Sequence, residues 1–311
     1  MQVADISTLS GSGTQVDPYL ITSPADWNTL SDYSKAGSTE GVYFRQTANI
    51  NITQPLGILG AQYAFGGVYD GDGHTIDVSG ITGEVGGPFP HIQNATIRGL
   101  HIVGTMTGSV CAGGLVGVAD GTCLVEDCRV SSTITGNAGT YGPHLGGIVG
   151  HGNTSALTVR GCLFDGQMTA SSSYTGSDKF AGAIVGWCND AKNIHTIDCL
   201  EQGTYTDFTN VNLNFFAGGS TTAVKKTNCY SLSHSWDNVP RATSTTEQTG
   251  VTALCTYPTT SITFYKNYVT VGNSWYAIGD YAVTDNLTLA DNADNSTTLD
   301  KNNGHCANVR D

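Results

Sequence analysis

The chain has 311 residues, of which 40 are glycines and only 13% are charged. The glycines follow no triplet period, which excludes a collagen-like fibre, and the shortage of charged residues excludes a surface built from long helices. The chain carries 13 basic and 26 acidic side chains, a net charge of −13. Since nucleic acids and anionic membrane surfaces are also negatively charged, we expect neither as a partner.

The chain contains no stretch that approaches the roughly 20 consecutive apolar residues of a membrane-spanning helix, so we expect no membrane insertion of this segment. Residues 1–5 lack the basic region and the apolar run of a signal peptide. Two explanations remain: a cytosolic protein, or an exported protein whose signal peptide has been removed. The family resemblance described below favours export, and we expect an extracellular or cell-surface location.

Residues 1–60 contain several prolines and one predicted short helix near residues 23–27. Ser23 is a suitable N-cap, and Pro24 suits the first helical position because its missing N–H is not needed there. A stack of strands exposes an edge at each end, and such an edge must be covered. We therefore predict that residues 1–60 form an N-terminal cap.

Two short motifs repeat through the middle of the chain. The block Gly-Gly-Leu-Val-Gly at residues 113–117 returns as Gly-Gly-Ile-Val-Gly at 146–150 and as Gly-Ala-Ile-Val-Gly at 182–186, with a degenerate copy at 216–219. A cysteine follows each block, and a leucine takes its place in an earlier copy, so the anchor residues are Leu100, Cys128, Cys162, Cys199 and Cys229. Repeats of this length indicate a solenoid, in which each repeat packs on its neighbours.

The residues after each cysteine alternate between apolar and polar side chains. Residues 128–134 (Cys-Arg-Val-Ser-Ser-Thr-Ile) show this period of two, which predicts half-buried strands. Turn residues such as those at 137–142 separate the strands and leave no room for a helix between them. We therefore predict an all-β fold, a right-handed parallel β-helix solenoid, over residues 61–236.

Stacked coils place equivalent residues about 4.8 Å apart in columns. We predict that the five anchor residues form one inward column, beside a second column that contains Ile102, Val130 and Phe164. Glu201 falls in the second column and is expected to face a local opening. Neighbouring cysteines are close enough for a disulfide, but cysteine also packs well as a small reduced residue; both alternatives remain, and we favour reduced thiols.

Residues 237–311 lose the repeat but keep strand-like runs at 262–265 and 268–271. The stretch 243–250 is rich in turn-forming and polar residues and is predicted to be a loop. We therefore predict a separate C-terminal β-rich segment.

The glycine blocks and the cysteine-containing strands together resemble the GLUG-motif repeat proteins of bacteria. That motif is named for a block like residues 114–117 (Gly-Leu-Val-Gly), and residues 65–76 resemble the first coil of such proteins. Residues 287–295 resemble segments of large surface proteins from gut Bacteroidetes. The fourth copy departs from the motif, because residues 218–221 lack its two apolar positions. The resemblance implies an exported, often multidomain surface protein without an assigned activity.

Three sets of polar residues suggest a site, but each has a simpler structural explanation. Asp70, Asp72 and Asp77 resemble half of a calcium loop, but the glutamate that closes an EF-hand loop is missing, so a glycine-rich turn explains them better. The threonine column Thr107, Thr135, Thr169 and Thr206 suits strand stability as well as it suits ice binding. His144, His151 and His195 show no consistent mutual register and are interpreted as ordinary loop histidines.

Cysteine spacing gives no metal site either. Cys123 and Cys128 are close in sequence, but no second close pair of cysteines or histidines completes a zinc set. We therefore predict neither a metal nor a cofactor.

Three tyrosines are the candidate ligand-binding residues. Tyr141 and Tyr174 lie just before successive glycine blocks, and Tyr63 lies in an earlier loop. Exposed aromatic rings suit stacking on sugars or docking of a protein partner. The alternative is that these rings are buried over the backbone of their own loops.

The acidic residues are spread thinly along the chain, whereas a glycoside hydrolase needs two carboxylates around the scissile bond. No catalytic residue is therefore predicted. We interpret the chain as a non-catalytic adhesion or ligand-binding module of the cell surface, which binds an extracellular glycan or a host protein. The alternative is a polysaccharide-active enzyme, either a lyase or a glycoside hydrolase, on a β-helix scaffold.

Overall fold

The computed structural model describes residues 5–137, 144–153, 156–170, 180–188, 194–197, 199–201, 203–206, 212–214, 217–219, 225–227, 230–231, 269–271 and 274–276. Within them the chain forms one α-helix, α1 (Pro24–Ser34), which is too short and too polar to span a membrane. The strands are, in chain order, β1 (Tyr19–Ile21), β2 (Tyr43–Gln46), β3 (Ile50–Asn51), β4 (Val68–Asp70), β5 (Thr75–Asp77), β6 (Ile81–Gly86), β7 (Phe89–Gln93), β8 (Thr96–Arg98), β9 (His101–Val103), β10 (Thr105–Gly113), β11 (Val116–Asp120), β12 (Thr122–Glu126), β13 (Arg129–Val130), β14 (Thr133–Gly136), β15 (His144–Gly146), β16 (Val149–Gly152), β17 (Ala156–Arg160), β18 (Leu163–Phe164), β19 (Gln167–Ala170), β20 (Phe180–Gly182), β21 (Val185–Cys188), β22 (Ile194–Ile197), β23 (Leu200–Glu201), β24 (Thr204–Thr206), β25 (Asn212–Asn214), β26 (Ala217–Gly219), β27 (Lys225–Thr227), β28 (Tyr230–Ser231), β29 (Val269–Val271) and β30 (Ser274–Tyr276).

The strands β1 to β28 form four parallel sheets, and successive coils add strands to them. Three sheets have the strand orders β1-β2-β4-β8-β12-β17-β22-β27, β3-β5-β9-β13-β18-β23-β28 and β7-β11-β16-β21-β26. In the fourth sheet the long strand β10 pairs with β6, β14 and β15, and the sheet continues to β19 and β24 on one side and to β20 and β25 on the other. The predicted all-β parallel fold is confirmed, and the described repeats form a parallel β-helix.

The C-terminal region differs from the coils. Its described part is an antiparallel pair, β29 with β30. The predicted run at residues 262–265 lies outside the described residues.

The anchor residues form the predicted inward column where the structure describes them. Each immediately precedes one of the paired strands β9, β13, β18 and β23. The N–H of Arg129 donates to the Leu100 carbonyl at 2.8 Å, and the N–H of Leu163 donates to the Cys128 carbonyl at 2.9 Å. None of the four side chains is exposed to solvent: Leu100, Cys128, Cys162 and Cys199. Cys229 lies outside the described residues.

The cysteines in this column are thiols in the structure, as are the other cysteines among the described residues. Each thiol donates to the carbonyl two residues earlier: Cys128 to Glu126 at 3.1 Å, Cys162 to Arg160 at 3.4 Å, and Cys199 to Ile197 at 3.4 Å. Burial raises the pKa of the Cys162 thiol well above its usual range. The anchor cysteine therefore closes the corner between two strands and packs as a small buried residue.

The second column shows a different arrangement from the one predicted at Glu201. Its residues are paired in register, with Phe164 opposite Val130 on one side and opposite Glu201 on the other. Glu201 is fully buried, so the expected local opening is wrong. Its carboxylate accepts hydrogen bonds from the Gly203 N–H and the Tyr205 hydroxyl, both at 2.8 Å. These two donors allow a buried acid inside the coil, because a buried polar group needs partners.

The glycine blocks lie at corners where backbone segments are in close contact. A β-carbon on Gly113 would lie 1.8 Å from the Val116 carbonyl oxygen of the same corner. A β-carbon on Gly114 would lie 2.3 Å from the Gly147 carbonyl oxygen of the next coil. A side chain at Gly113 or Gly114 would collide with this backbone, which explains the glycines at these two positions.

The predicted helix is confirmed and is longer than the sequence suggested. Ser23 Oγ accepts a hydrogen bond from the Asp26 N–H at 3.3 Å, and Pro24 is the first helical residue. Trp27 is fully buried, and its ring lies 5.8 Å from that of Tyr69 and 5.5 Å from that of Phe89, between ring centroids. The helix thus packs on the first coil, and β1, β2 and β3 already belong to the parallel sheets.

Candidate functional site

Two outward columns meet beside the glycine blocks. In the first, strand pairing places Cys111 opposite His144 and His144 opposite Phe180. Their chain neighbours Ala112, Leu145 and Ala181 are fully buried in the core. Because successive side chains of a strand point to opposite faces, Cys111, His144 and Phe180 point away from the core.

The second column begins just after each glycine block. It places Val118 opposite His151 and His151 opposite Trp187. The backbone that follows one glycine block lies close to the backbone that precedes the block of the neighbouring coil. A β-carbon on Gly186 would be 2.5 Å from the Leu145 carbonyl oxygen. The two columns therefore face each other, and we call their six residues the corner cluster: Cys111, Val118, His144, His151, Phe180 and Trp187.

Cys111, His144 and His151 form the polar part of the corner cluster. Cys111 Sγ lies 3.9 Å from Nδ1 of His144 and 3.9 Å from Nδ1 of His151. The two imidazole rings are perpendicular, with centroids 5.2 Å apart. Among the residues that the structure describes, these are the three metal-ligating side chains whose ligand atoms all lie within 4.8 Å of one another.

The aromatic rings of His144, Phe180 and Trp187 form what we call the aromatic rung of the corner cluster. Trp187 stacks on Phe180 with ring centroids 4.4 Å apart, and on His144 with centroids 5.2 Å apart. All three side chains are half-buried, so part of this aromatic surface contacts solvent. On the other side of the polar rung, Val85 and Val118 pack with Cys111 in a small apolar cluster separate from the main core.

Burial determines the protonation of the polar rung. It raises the pKa of the Cys111 thiol to about 12, and together with the neighbouring His151 it lowers the pKa of His144 to about 4. At neutral pH the thiol is therefore protonated and His144 is neutral. A nucleophilic cysteine needs thiolate character, so this environment does not activate Cys111 for covalent catalysis.

The interpretation of the histidines as loop residues is wrong. His144 and His151 lie in β15 and β16 on either side of one glycine block, and His195 lies in β22 of a different sheet. The signal that would have found the site is position relative to the block. Cys111 and His144 each come two residues before the first glycine, and His151 and Trp187 each come one residue after the last glycine.

The tyrosines predicted to bind a ligand are placed only in part. Tyr63 ends a short 3-10 turn, Ala61–Tyr63, and is half-buried. Tyr141 and Tyr174 lie outside the described residues. In the sequence they precede β15 and β20, the strands that carry His144 and Phe180.

The aspartates that resembled half of a calcium loop lie at the turn between β4 and β5. Asp70 accepts a hydrogen bond from the Asp72 N–H at 3.0 Å and ion-pairs with Arg98 at 3.0 Å. Asp72 itself has a φ of 47°, which is the left-handed conformation that turn residues adopt. Asp77 instead accepts hydrogen bonds from Ser79.

The threonine column is present and lies within strands. Thr135 pairs with Thr107 on one side and with Thr169 on the other, and Thr169 Oγ1 lies 2.8 Å from Thr206 Oγ1. Thr169 lies inside β19.

Comparison with known proteins supports the repeat and the fold. The family model for the GLUG motif matches residues 108–135, which run from β10 to β14 and include the first glycine block. Halomucin from Haloquadratum walsbyi is 29% identical over 174 residues, an alignment that covers 49% of this chain and 2% of Halomucin. The chain therefore spans only a small fraction of that relative's length.

A solved structure with a similar fold comes from Bacteroides ovatus, where it is described as a proposed immunoglobulin A1 protease. The two structures superpose with a TM-score of 0.52 and 19% sequence identity, over 71% of this chain and 77% of the other. At this identity the likeness shows the fold alone. The GLUG motif matched at residues 108–135 thus lies within the stacked strands of a parallel β-helix, and the chain is similar to GLUG-motif repeat proteins in this motif.

Proposed function

We propose that the chain is a non-catalytic ligand-binding module of an extracellular or surface protein, and that its ligand is a glycan bound at the corner cluster. The observation that carries this proposal is the partly exposed aromatic rung of His144, Phe180 and Trp187. Aromatic faces bind the apolar faces of sugars, and rings fixed on strands are pre-organised for this contact. The matches to Halomucin and to the Bacteroides ovatus protein support a surface location.

Two of the described acids contact arginines of neighbouring coils, which supports a structural role for these two side chains. Asp165 forms an ion pair with Arg129 at 2.9 Å, and Glu126 contacts Arg160. These two acids therefore take part in structural ion pairs between coils.

A glycan array probed with the full chain tests the proposal, followed by titration of the best binder. Trp187→Ala should weaken binding about 2- to 12-fold, because one stacking contact contributes on the order of 0.5–1.5 kcal/mol. Tyr43→Ala is the matched control, since Tyr43 is a half-buried aromatic residue of β2 in another sheet. Equal effects of the two substitutions would contradict a site at the corner cluster.

The same experiment separates the alternatives. Binding to host proteins without binding to any glycan would replace the glycan by a protein ligand. Release of shortened saccharides from the array, or from polysaccharide in solution, would instead favour the polysaccharide-active enzyme.

A further inference from the structure

We propose that Cys111, His144 and His151 form a binding site for one thiophilic transition-metal ion of the Zn²⁺ class. The three side chains offer one sulfur and two imidazole nitrogens within 4.8 Å of one another. This goes beyond glycan binding, since it concerns a second kind of ligand, a metal ion; of the three proposed metal ligands, only His144 also belongs to the aromatic rung.

The distances suit a tetrahedral metal ion. With Zn–S near 2.3 Å and Zn–N near 2.0–2.1 Å, tetrahedral geometry requires a separation of about 3.5 Å between the sulfur and each nitrogen. Both Sγ to Nδ1 distances are 3.9 Å. Side-chain rotations that shift each atom by a few tenths of an ångström would therefore bring the sulfur to the required distance from each nitrogen. The two nitrogens lie within 4.8 Å of each other and would have to approach to about 3.3 Å.

The scaffold holds the three ligands rigidly. Cys111 and His144 are direct partners in the pairing of β10 with β15. His144 and His151 are joined by a close-packed corner, in which a β-carbon on Gly147 would lie 1.9 Å from the Ala183 carbonyl oxygen. Ligands fixed by secondary structure form more accurate sites than ligands on loops.

The surroundings also suit a metal ion with soft ligands. Val85 and Val118 enclose the sulfur, and Trp187 stacks on the His144 ring and limits its rotation. An apolar shell of this kind restricts solvent access and orients the ligands. Sulfur and imidazole select Zn²⁺ and similar ions, whereas Ca²⁺ and Mg²⁺ prefer oxygen ligands.

Three protein ligands leave one tetrahedral position open. Structural zinc sites usually have four protein ligands, whereas a site with three keeps a position for water or another small ligand. The open position would lie at the outer surface of the coil, beside the aromatic rung.

Co²⁺ titration of the full chain, prepared free of metal and reduced, is the primary test. We expect one equivalent of Co²⁺ to displace the Cys111 thiol proton to solvent and to produce a thiolate-to-metal charge-transfer absorption that Zn²⁺ abolishes and Ca²⁺ does not. Cys111→Ser should remove this absorption and weaken Zn²⁺ binding in calorimetry by at least about 100-fold. His151→Gln should weaken binding independently.

The controls use the same residue types elsewhere in the chain. Cys123→Ser changes a buried thiol that donates to the Asp120 carbonyl, and His195→Gln changes a histidine of another sheet. Both variants should bind as tightly as the unmodified chain, and Zn²⁺ should raise their melting temperatures but not that of Cys111→Ser. Absence of the charge-transfer absorption, or its retention in both Cys111→Ser and His151→Gln, would overturn the proposal.

Failure of this proposal and failure of the proposed function are distinguishable. The metal titration requires no glycan, and the glycan assay uses Trp187, which is not among the three proposed ligands.

Discussion

At the scale of the residue, Gly147 shows why the repeated block contains glycine, since there is no space for even a β-carbon at this position. A β-carbon there would lie 1.9 Å from the Ala183 carbonyl oxygen of the next coil and 2.5 Å from the Phe164 ring. Neither neighbour can easily move, because one is backbone and the other is a fully buried ring. The glycine is therefore required by close approach between coils.

Replacing Gly147 by valine should lower the free energy of unfolding by about 2–4 kcal/mol, the usual range for strain and overpacking. Thr169→Val is the control, because its side chain lies on the outer face of β19 and loses only the hydrogen bond to Thr206. That control should change stability by less than about 1 kcal/mol. Chemical denaturation measures both variants, and small, equal effects would contradict the close approach at Gly147.

His101 provides a pH-dependent contribution to stability. Burial and the neighbouring Arg129 guanidinium lower its pKa to about 4. The Ser131 hydroxyl donates its proton to the Asp165 carboxylate at 2.6 Å. Nε2 of His101 lies 2.9 Å from the Ser131 Oγ. Because that hydroxyl proton is already used, Nε2 must carry the proton of the His101–Ser131 hydrogen bond. The folded protein thus holds His101 as a neutral donor.

The sign of the pH effect follows from this lowered pKa. An unfolded histidine binds a proton near pH 6.5, whereas folded His101 does so only near pH 4. Its contribution to stability is therefore complete above pH 6.5 and is lost as the pH falls from about 6.5 to about 4, by up to about 3 kcal/mol. His101→Gln should show a weaker decline than the unmodified chain over this window in denaturation experiments. Parallel declines would contradict the assignment to His101.

At the scale of the element, the anchor cysteine joins two strands of one coil. The thiols of Cys162 and Cys199 donate to carbonyls within their own coil, and they also lie 3.8 Å and 3.5 Å from the carbonyls of Val125 and Val159 in the preceding coil. Serine could donate similarly but would lose the apolar packing of sulfur. This explains a column of cysteines that does not need disulfide bonds.

Native-state alkylation tests the thiol column. Cys128, Cys162 and Cys199 are fully buried, so iodoacetamide should modify them at least about 100-fold more slowly in the folded protein than in denaturant. Mass spectrometry of the individual peptides measures each rate. Failure to modify these cysteines in denaturant without a reductant would reveal disulfides, and rapid modification in the folded state would contradict their burial.

The elements were predictable from the sequence to the extent that they repeat. Two motifs in fixed order give the strand register, which places Cys128 beside Cys162 in the same column. The corner cluster was not predicted, because Cys111 is 33 residues from His144 and 40 residues from His151. The positions of the histidines show no pattern when they are compared with one another. Their shared location becomes clear when the number of residues to the nearest glycine block is counted. The burial of Glu201 also depends on a later hydroxyl, that of Tyr205, which no repeat position predicts.

At the scale of the whole molecule, stability is distributed among interfaces between neighbouring coils. In a solenoid each repeat contacts only its neighbours, so a local defect should loosen adjacent coils before distant ones. The N-terminal interface is rich in aromatic rings, because Trp27 of α1 packs against Tyr69 of β4 and Phe89 of β7. Helix α1 therefore covers the first coil and protects the core there.

Trp27→Ala should destabilise the N-terminal coils by about 3–5 kcal/mol, as expected for loss of a fully buried aromatic residue. The indole N–H also donates to the Gln54 carbonyl at 3.0 Å, so the substitution leaves that acceptor without its donor. Asp32→Ala on the same helix is the control, because its carboxylate is 59% exposed and forms only a surface ion pair with Lys35. Hydrogen exchange should rise first in β4 and β7 of the Trp27 variant, while β16 and β17 remain protected. A uniform rise along all the coils would show that the molecule unfolds as one cooperative unit, and it would contradict nearest-neighbour stabilisation.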